Sequence, residues 1–189
     1  MEVMLKKVQI AFPALDAPQS FGEGEPAYGA KFVITPDGEH HKALLDAIAT
    51  VAKDQWKDKA DSVVSMLKED GKICLVEKVY RNKKTGEPYN GFAGKHYLSA
   101  RNAKTRPTVF DRMAEEVTNT SDIKRLIYSG AIVNAKVDVW AQDNKWGRRI
   151  NCSLSGVMFA EDGENFGGGG SVASKDDFAD FAADASDLF

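Results

Sequence analysis

Ala131-Ile132-Val133-Asn134-Ala135-Lys136-Val137-Asp138-Val139-Trp140-Ala141-Gln142 is the stretch whose period decides the fold. Ala131, Val133, Ala135, Val137, Val139 and Ala141 alternate strictly with Ile132, Asn134, Lys136, Asp138, Trp140 and Gln142. Successive strand side chains leave on opposite faces, so this is a strand with a small apolar face for a core. Its outer face carries Lys136 and Trp140. Asp143-Asn144-Lys145-Trp146-Gly147 follows as a hairpin loop, with glycine where a positive φ is wanted. The return strand alternates again: Ile150, Cys152, Leu154 and Met158 point to the core, and Arg149, Asn151, Ser153 and Ser155 point away. The hairpin thus displays Lys136, Trp140 and Arg149 outward, with Lys145, Trp146 and Arg148 at its tip.

Upstream, the segment from Lys72 to Arg112 interleaves cations with aromatic rings. Ile73 to Tyr80 reads as a strand and Asn82 to Gly86 as a long polar loop. Lys95 to Arg101 reads as a further strand, with Lys95, Tyr97, Ser99 and Arg101 on one face and His96, Leu98 and Ala100 on the other. A tyrosine flanked by cations on one face suits single-stranded nucleic acid, because cations neutralise phosphates while exposed rings stack on unpaired bases. Arg81, Lys83 and Lys84 in the loop, with Tyr89 and Phe92 beyond it, extend that set. A solvated basic face over ordinary core aromatics is the plainer alternative for the same residues.

Val3 to Phe12 is expected as a first strand stopped by Pro13, and Pro18 to Pro26 as a loop. Tyr28, Ala30, Phe32 and Ile34 then share one strand face, opposite Lys31. Leu44, Leu45, Ile48, Val51 and Ala52 form a helical stripe that Trp56 extends, and a shorter helix covers about Lys59 to Lys68 with Val63, Val64 and Leu67 inward. Residues 107–122 show no clear period.

At 189 residues with 43% hydrophobic content, the chain can bury one real core. Residues 1–160 carry 24 basic and 20 acidic side chains, whereas 161–189 carry Lys175 against eight acids, so a body of +4 is tied to a terminus of −7. The expected organisation is one domain over residues 1–160, a glycine-rich linker at 161–170 and a disordered acidic tail at 171–189. That tail sets Asp176, Asp177, Asp180, Asp184 and Asp187 among Phe178, Phe181, Leu188 and Phe189. Apolar anchors among acids point to docking, on a partner or on the protein's own basic groove.

Enzyme signatures are missing from the sequence. His40 and His41 are adjacent and His96 stands apart, Gly86 to Phe92 lacks the lysine of a phosphate loop, and there is no G-x-S-x-G elbow. No cofactor or metal is expected. A metal-dependent nuclease drawing on Asp111, Glu115, Glu116 and Asp138 is the weakest alternative, since nothing in their spacing requires it. Cys74 and Cys152 define neither a disulfide framework nor a metal knuckle, which suits a reducing cytoplasm. Neither a leader nor a run of 18 apolar residues is found, so no membrane association is expected.

The segment Gly94-Lys95-His96-Tyr97-Leu98-Ser99-Ala100-Arg101-Asn102, then Arg106-Pro107-Thr108-Val109-Phe110-Asp111, resembles the body of a bacteriophage single-stranded DNA-binding protein family. So do Tyr128 to Ala135 and Trp140-Ala141-Gln142-Asp143-Asn144-Lys145-Trp146-Gly147, and the resemblance runs through most of residues 1–166. It implies a mainly β chain with helical decoration, an OB-fold built as a five-stranded Greek-key barrel. It also implies sequence-independent binding of single-stranded DNA in phage replication and recombination, within the host cytoplasm. The acidic tail ending at Phe189 is similar in design to the termini by which such proteins recruit DNA polymerase and other replication proteins. An RNA-binding module would use the same surface, and a replication adaptor using its body for protein contacts, or self-association, are further readings.

Overall fold

The alternating stretch forms β6 (Ile132–Asn144) and β7 (Gly147–Glu161), joined at the turn Lys145-Trp146, with Gly147 at φ 97°. The structure is a computed structural model and describes residues 1–20 and 25–166. The acidic tail lies outside the described residues. The other strands are β1 (Glu2–Gln19), β2 (Ala27–Ile34), β3 (Leu75–Val76), β4 (His96–Asn102) and β5 (Thr108–Phe110). Three helices, α1 (Glu39–Trp56), α2 (Ala60–Glu69) and α3 (Thr120–Leu126), decorate them.

The strands are ordered β3-β4-β2-β1-β6-β7-β5, and residues 72–76 close the sheet on itself. Cys74 donates its N–H to the Ile150 carbonyl of β7 at 2.9 Å, and Ile150 donates to the Lys72 carbonyl at 3.0 Å. On the other side Ser99 of β4 donates to the Cys74 carbonyl at 2.9 Å, and Leu75 pairs with Leu98. The long strands therefore run β1-β2-β4-β7-β6 and back to β1. That cyclic order is the Greek key of an OB-fold barrel.

β1 serves both halves of the barrel because it bends twice. Its ladder with β6 shifts register between Leu5 and Val8, and its ladder with β2 shifts between Ala11 and Ala14. Lys7 and Phe12 sit in these bulges at φ 49° and φ 51°. Their freed N–H groups find side-chain acceptors, Asn134 Oδ1 at 3.0 Å and Ser129 Oγ at 3.2 Å. Pro13 falls inside the second bulge, where its missing N–H costs no ladder bond. The expected stop at Pro13 is thus replaced by a strand that continues to Gln19.

Leu44, Ala47, Ile48, Ala52 and Trp56 of α1 face the barrel interior beside Leu5, Val133, Ala135, Val137 and Val139. Each fully buried aliphatic side chain of this kind contributes about 1.5–3 kcal/mol. Leu45, expected in the stripe, is instead 39% exposed. Trp56 donates its indole N–H to Asp143 Oδ2 at 2.8 Å, tying the end of α1 to the β6–β7 hairpin. Val63 and Leu67 of α2 are buried as the stripe requires.

Two further expectations about strands are corrected. Met158 does not share the inward face with Ile150, Cys152 and Leu154, because a register shift between Lys136 and Val137 reverses the parity and turns Val157 inward. The strand expected over Ile73 to Tyr80 reduces to Leu75–Val76 plus the bridge at Ile73. Residues 107–122 hold β5, a turn and the start of α3, whose Asn119 side chain accepts from the Ser121 and Asp122 N–H groups.

Candidate nucleic-acid interface

Pairing of β2 with β4 sets Lys31 opposite Ser99 and Val33 opposite Tyr97 on the outer face of the barrel. Residues 77–95 fold back over that face. Asn82 donates to the Glu87 carbonyl at 2.8 Å, Tyr89 donates to the Tyr80 carbonyl at 3.0 Å, and Arg81 bridges to Pro88. The expected polar loop is therefore a small hairpin, turned at Gly86 with φ 74°. Lys83 and Lys84 sit exposed at its tip, and Arg81 Nη1 donates to the Gly86 carbonyl at 3.0 Å.

The hairpin brings Tyr80 and Tyr89 into a stacked pair, with ring centroids 5.0 Å apart and planes 20° apart. Tyr97 meets the Tyr80 ring edge-on at 4.9 Å, and Phe12 from the second bulge of β1 meets Tyr89 at 5.1 Å. Phe92, with Val33 and Ala11, forms the floor of this cluster and is 0% exposed. Phe92 therefore offers no free ring for a base and is corrected from a stacking residue to a supporting one. Tyr80, Tyr89 and Tyr97 are partly exposed.

Lys31 lies at the centre. Its ammonium stands 4.7 Å from the Tyr80 centroid and 4.9 Å from that of Tyr97, and donates to Ser99 Oγ at 2.8 Å. Burial, aided by the neighbouring Arg101 guanidinium, pushes its pKa down to about 8. Burial also raises the Tyr80 and Tyr97 hydroxyls above the usual phenol range. Lys95 donates to Thr35 Oγ1 at 3.1 Å and Arg101 to the Glu25 carbonyl at 3.2 Å, flanking the cluster on either side. Lys31 and Phe12 are absent from the candidates that sequence alone selects, and Tyr80 enters there only as one of the rings interleaved with cations between Lys72 and Arg112. Strand alternation did set Lys31 opposite the core face, and that was the available signal.

The β6–β7 candidates form a separate group. Trp140, 40% exposed, donates its indole N–H to Ser153 Oγ at 3.0 Å, and Lys136 pairs with Glu2 at 2.8 Å. At the tip Trp146 is 78% exposed with the Lys145 ammonium 5.1 Å from its ring, and Arg148 bonds Asp143 Oδ2 at 3.1 Å. Arg149 pairs across the ladder with Gln142. Among the described residues, neither tryptophan packs with the rings around Lys31.

Phe166, the last described residue, donates its N–H to the Ser129 carbonyl at 2.8 Å and sets its ring against Phe92 at 6.3 Å. A side chain at Gly91 would collide with that ring. The described chain thus ends on the aromatic cluster.

Of the acids considered for a nuclease, Asp111, Glu115 and Glu116 line one cavity without forming a ligating group among the described residues, and Asp138 lies elsewhere. Asp138 takes the N-terminal amine at 2.7 Å, whereas Asp111 Oδ1 accepts from Met113 and Glu115 N–H groups within its own turn. Among the described residues one set of ligating side chains is close enough to share an ion: His41, Glu77 and His96, with ligand atoms within 4.8 Å. His96 is therefore not isolated, as its place in the sequence suggests. The hydrogen bonds suit a proton better than a metal. Asp37 N–H donates to His41 Nδ1 at 3.0 Å, which leaves the ring proton on Nε2, facing Glu77 Oε1 at 3.1 Å. A metal at Nε2 would move that proton to Nδ1, against the Asp37 N–H. Glu77 is also bonded to Lys68, which holds its carboxyl below the usual range.

An OB-fold barrel with a basic, aromatic face on its second and third barrel strands defines an oligonucleotide-binding class of protein. The chain belongs to a particular family within it: the model of the Enterobacter phage Enc34 ssDNA-binding protein matches residues 1–189. A relative from Acyrthosiphon pisum secondary endosymbiont phage 1, "Putative protein p50", is 36% identical over 186 residues, covering 96% of this chain and 95% of that protein. The single-stranded DNA-binding protein of bacteriophage Enc34 in complex with ssDNA is 26% identical, with a TM-score of 0.67 over 88% of this chain and 89% of that one. The bacteriophage T7 protein gp2.5, at 12% identity and a TM-score of 0.53, shares the fold over 98% of this chain and 97% of its own.

Proposed function

We propose that this chain binds single-stranded DNA without sequence preference and coats it during phage replication and recombination. The observation that carries this reading is the Lys31 ammonium between the Tyr80 and Tyr97 rings on the outer face of β2 and β4. Tyr80, Tyr89 and Tyr97 stack bases, and Lys31, Arg81, Lys83, Lys84, Lys95 and Arg101 neutralise phosphates. The β6–β7 turn, with Lys145, Trp146 and Arg148, joins the fourth and fifth barrel strands, a loop that flanks the binding face in OB-folds. Lys136, Trp140 and Arg149 lie outside the ring cluster and are secondary. The work is binding, with no bond made or broken.

The tail at 171–189 is proposed to recruit replication proteins such as a DNA polymerase and to compete with DNA for the basic face. Its −4 charge and the position of Phe166 on the aromatic cluster support a short reach, and a glycine tether gives an effective concentration in the millimolar range. The protein acts in the host cytoplasm.

Anisotropy titration of labelled oligo-dT at two salt concentrations tests this, on the full chain, on a version ending at Gly170, and on Lys31→Ala/Tyr97→Ala. Binding that weakens with salt, tightens on truncation and falls in the double variant is expected. No binding at low salt overturns the reading. Competition with oligo-U separates DNA from RNA preference.

A further inference from the structure

Beside the aromatic cluster the outer face opens into a cavity of about 280 Å³, lined by Lys7, Val8, Gln9, Val33, Thr35, Gly38, His40, Lys95 and Ile132. It exists because β1 parts from β2 here: the bulge at Lys7 turns β1 towards β6, while β2 ends at Ile34 and hands over to α1. Val33 belongs to both places. It packs in the floor of the aromatic cluster, pairs with Tyr97, and forms one wall of the cavity. A strand whose base stacks at Tyr97 therefore reaches the cavity within one step across β2.

The lining supplies cations for a phosphate. Lys95 donates to Thr35 Oγ1 at 3.1 Å, which positions the ammonium and leaves it further donors. Lys7 is 70% exposed and, among the described residues, pairs with Glu161 Oε1 at 3.3 Å, a surface ion pair of small worth. No carboxylate lines the cavity itself among the described residues. The volume falls at the lower edge of the roughly 300–1,000 Å³ typical of small-molecule sites, so it suits one nucleotide's backbone rather than a stacked run.

We propose that this cavity is a phosphate clamp: Lys7 and Lys95 hold a backbone phosphate of the single strand next to the base stacked at Tyr97, and Glu161 occupies Lys7 when no strand is bound. The inference rests on the nucleic-acid reading above and adds Lys7 and Glu161 to it. It sets the path of the strand, across β2 towards the start of α1.

The test is anisotropy titration of labelled oligo-dT over a salt series with the full chain. Lys7→Ala/Lys95→Ala lowers affinity about tenfold at low salt and reduces the log–log salt slope by about 0.7 for each phosphate that is no longer neutralised. Glu161→Gln frees Lys7 and tightens binding. Lys53→Ala, an exposed lysine of α1, controls for net charge and leaves affinity within about twofold. Unchanged affinity and slope in the double variant, an equal loss in Lys53→Ala, or a Glu161→Gln variant that does not tighten would each overturn the clamp. If the wild-type chain fails to bind, the nucleic-acid reading falls with it; if wild type binds and Lys31→Ala weakens it while Lys7→Ala/Lys95→Ala does not, the clamp falls and Lys95 leaves the phosphate-neutralising set, while the nucleic-acid reading stands.

Discussion

Lys31 and Tyr97 stand on neighbouring strands with the ammonium 4.9 Å from the ring centroid, and Tyr80 closes over the same charge at 4.7 Å. One half-buried cation is thus shared by two partly exposed rings. Charge state and ring geometry meet at this point, and the proposed binding would depend on both.

That coupling gives a pH dependence. A nearby phosphate favours the charged lysine, so binding should take up a proton above pH about 8, and affinity should fall as pH rises through that value. Titrations between pH 7 and 9.5 on wild type and Lys31→Arg check this. The arginine stays charged, so its profile should be flat over the same window.

Stability should move the other way. The Lys31 pKa is lowered to about 8 from 10.5, so between those values the unfolded state binds more protons than the native one. Stability from this group therefore rises with pH across the window, and its penalty is present in full below pH 8. Lys31→Met should raise the melting temperature at pH 7 while weakening oligo-dT binding. A variant that loses both would show that Lys31 holds the face together instead.

Tyr80→Ala and Tyr97→Ala should each cost about 1–3 kcal/mol of oligo-dT binding, and the Phe replacements should keep most of it, because stacking needs the ring and not the hydroxyl. Equal losses in the Phe and Ala variants would point to the hydroxyls.

Phe92→Ala tests the floor of the cluster. Emptying a fully buried aromatic site costs about 3–5 kcal/mol, readable as a lower urea midpoint. Because Phe92 carries Tyr80, Tyr89 and Phe166 above it, the 80–89 hairpin should also become protease-sensitive.

Cys74 and Cys152 are both buried and share a hydrogen bond that, with burial, pushes the Cys152 thiol well above its usual range. Neither should react with iodoacetamide in the native protein, and both should react in denaturant. Rapid native labelling would mean that the barrel opens at the 72–76 seam.

Local period was enough for the elements that obey it. The β6–β7 hairpin, β2, β4 and the apolar stripes of α1 and α2 could all be read from residues 27–160, because an alternation of two or 3.6 is written into neighbouring positions. The basic and aromatic character of the face was legible for the same reason: Tyr97 and Arg101 share a strand face by parity alone. Tertiary structure decided what depends on partners far along the chain. A single extra residue opposite Lys136 turned Val157 inward and Met158 out. Two bulges let β1 continue through Pro13, and residues 72–76 closed the barrel by bonding both β4 and β7. The centre of the site was set the same way. Phe12, Lys31, Tyr80 and Tyr97 come from four separate segments, and only the fold-back of residues 77–95 onto the β2–β4 face brings them together, burying Phe92 beneath partly exposed rings. Sequence period reports which way a side chain leaves its own backbone; which other backbone it meets is settled by ladder register and closure.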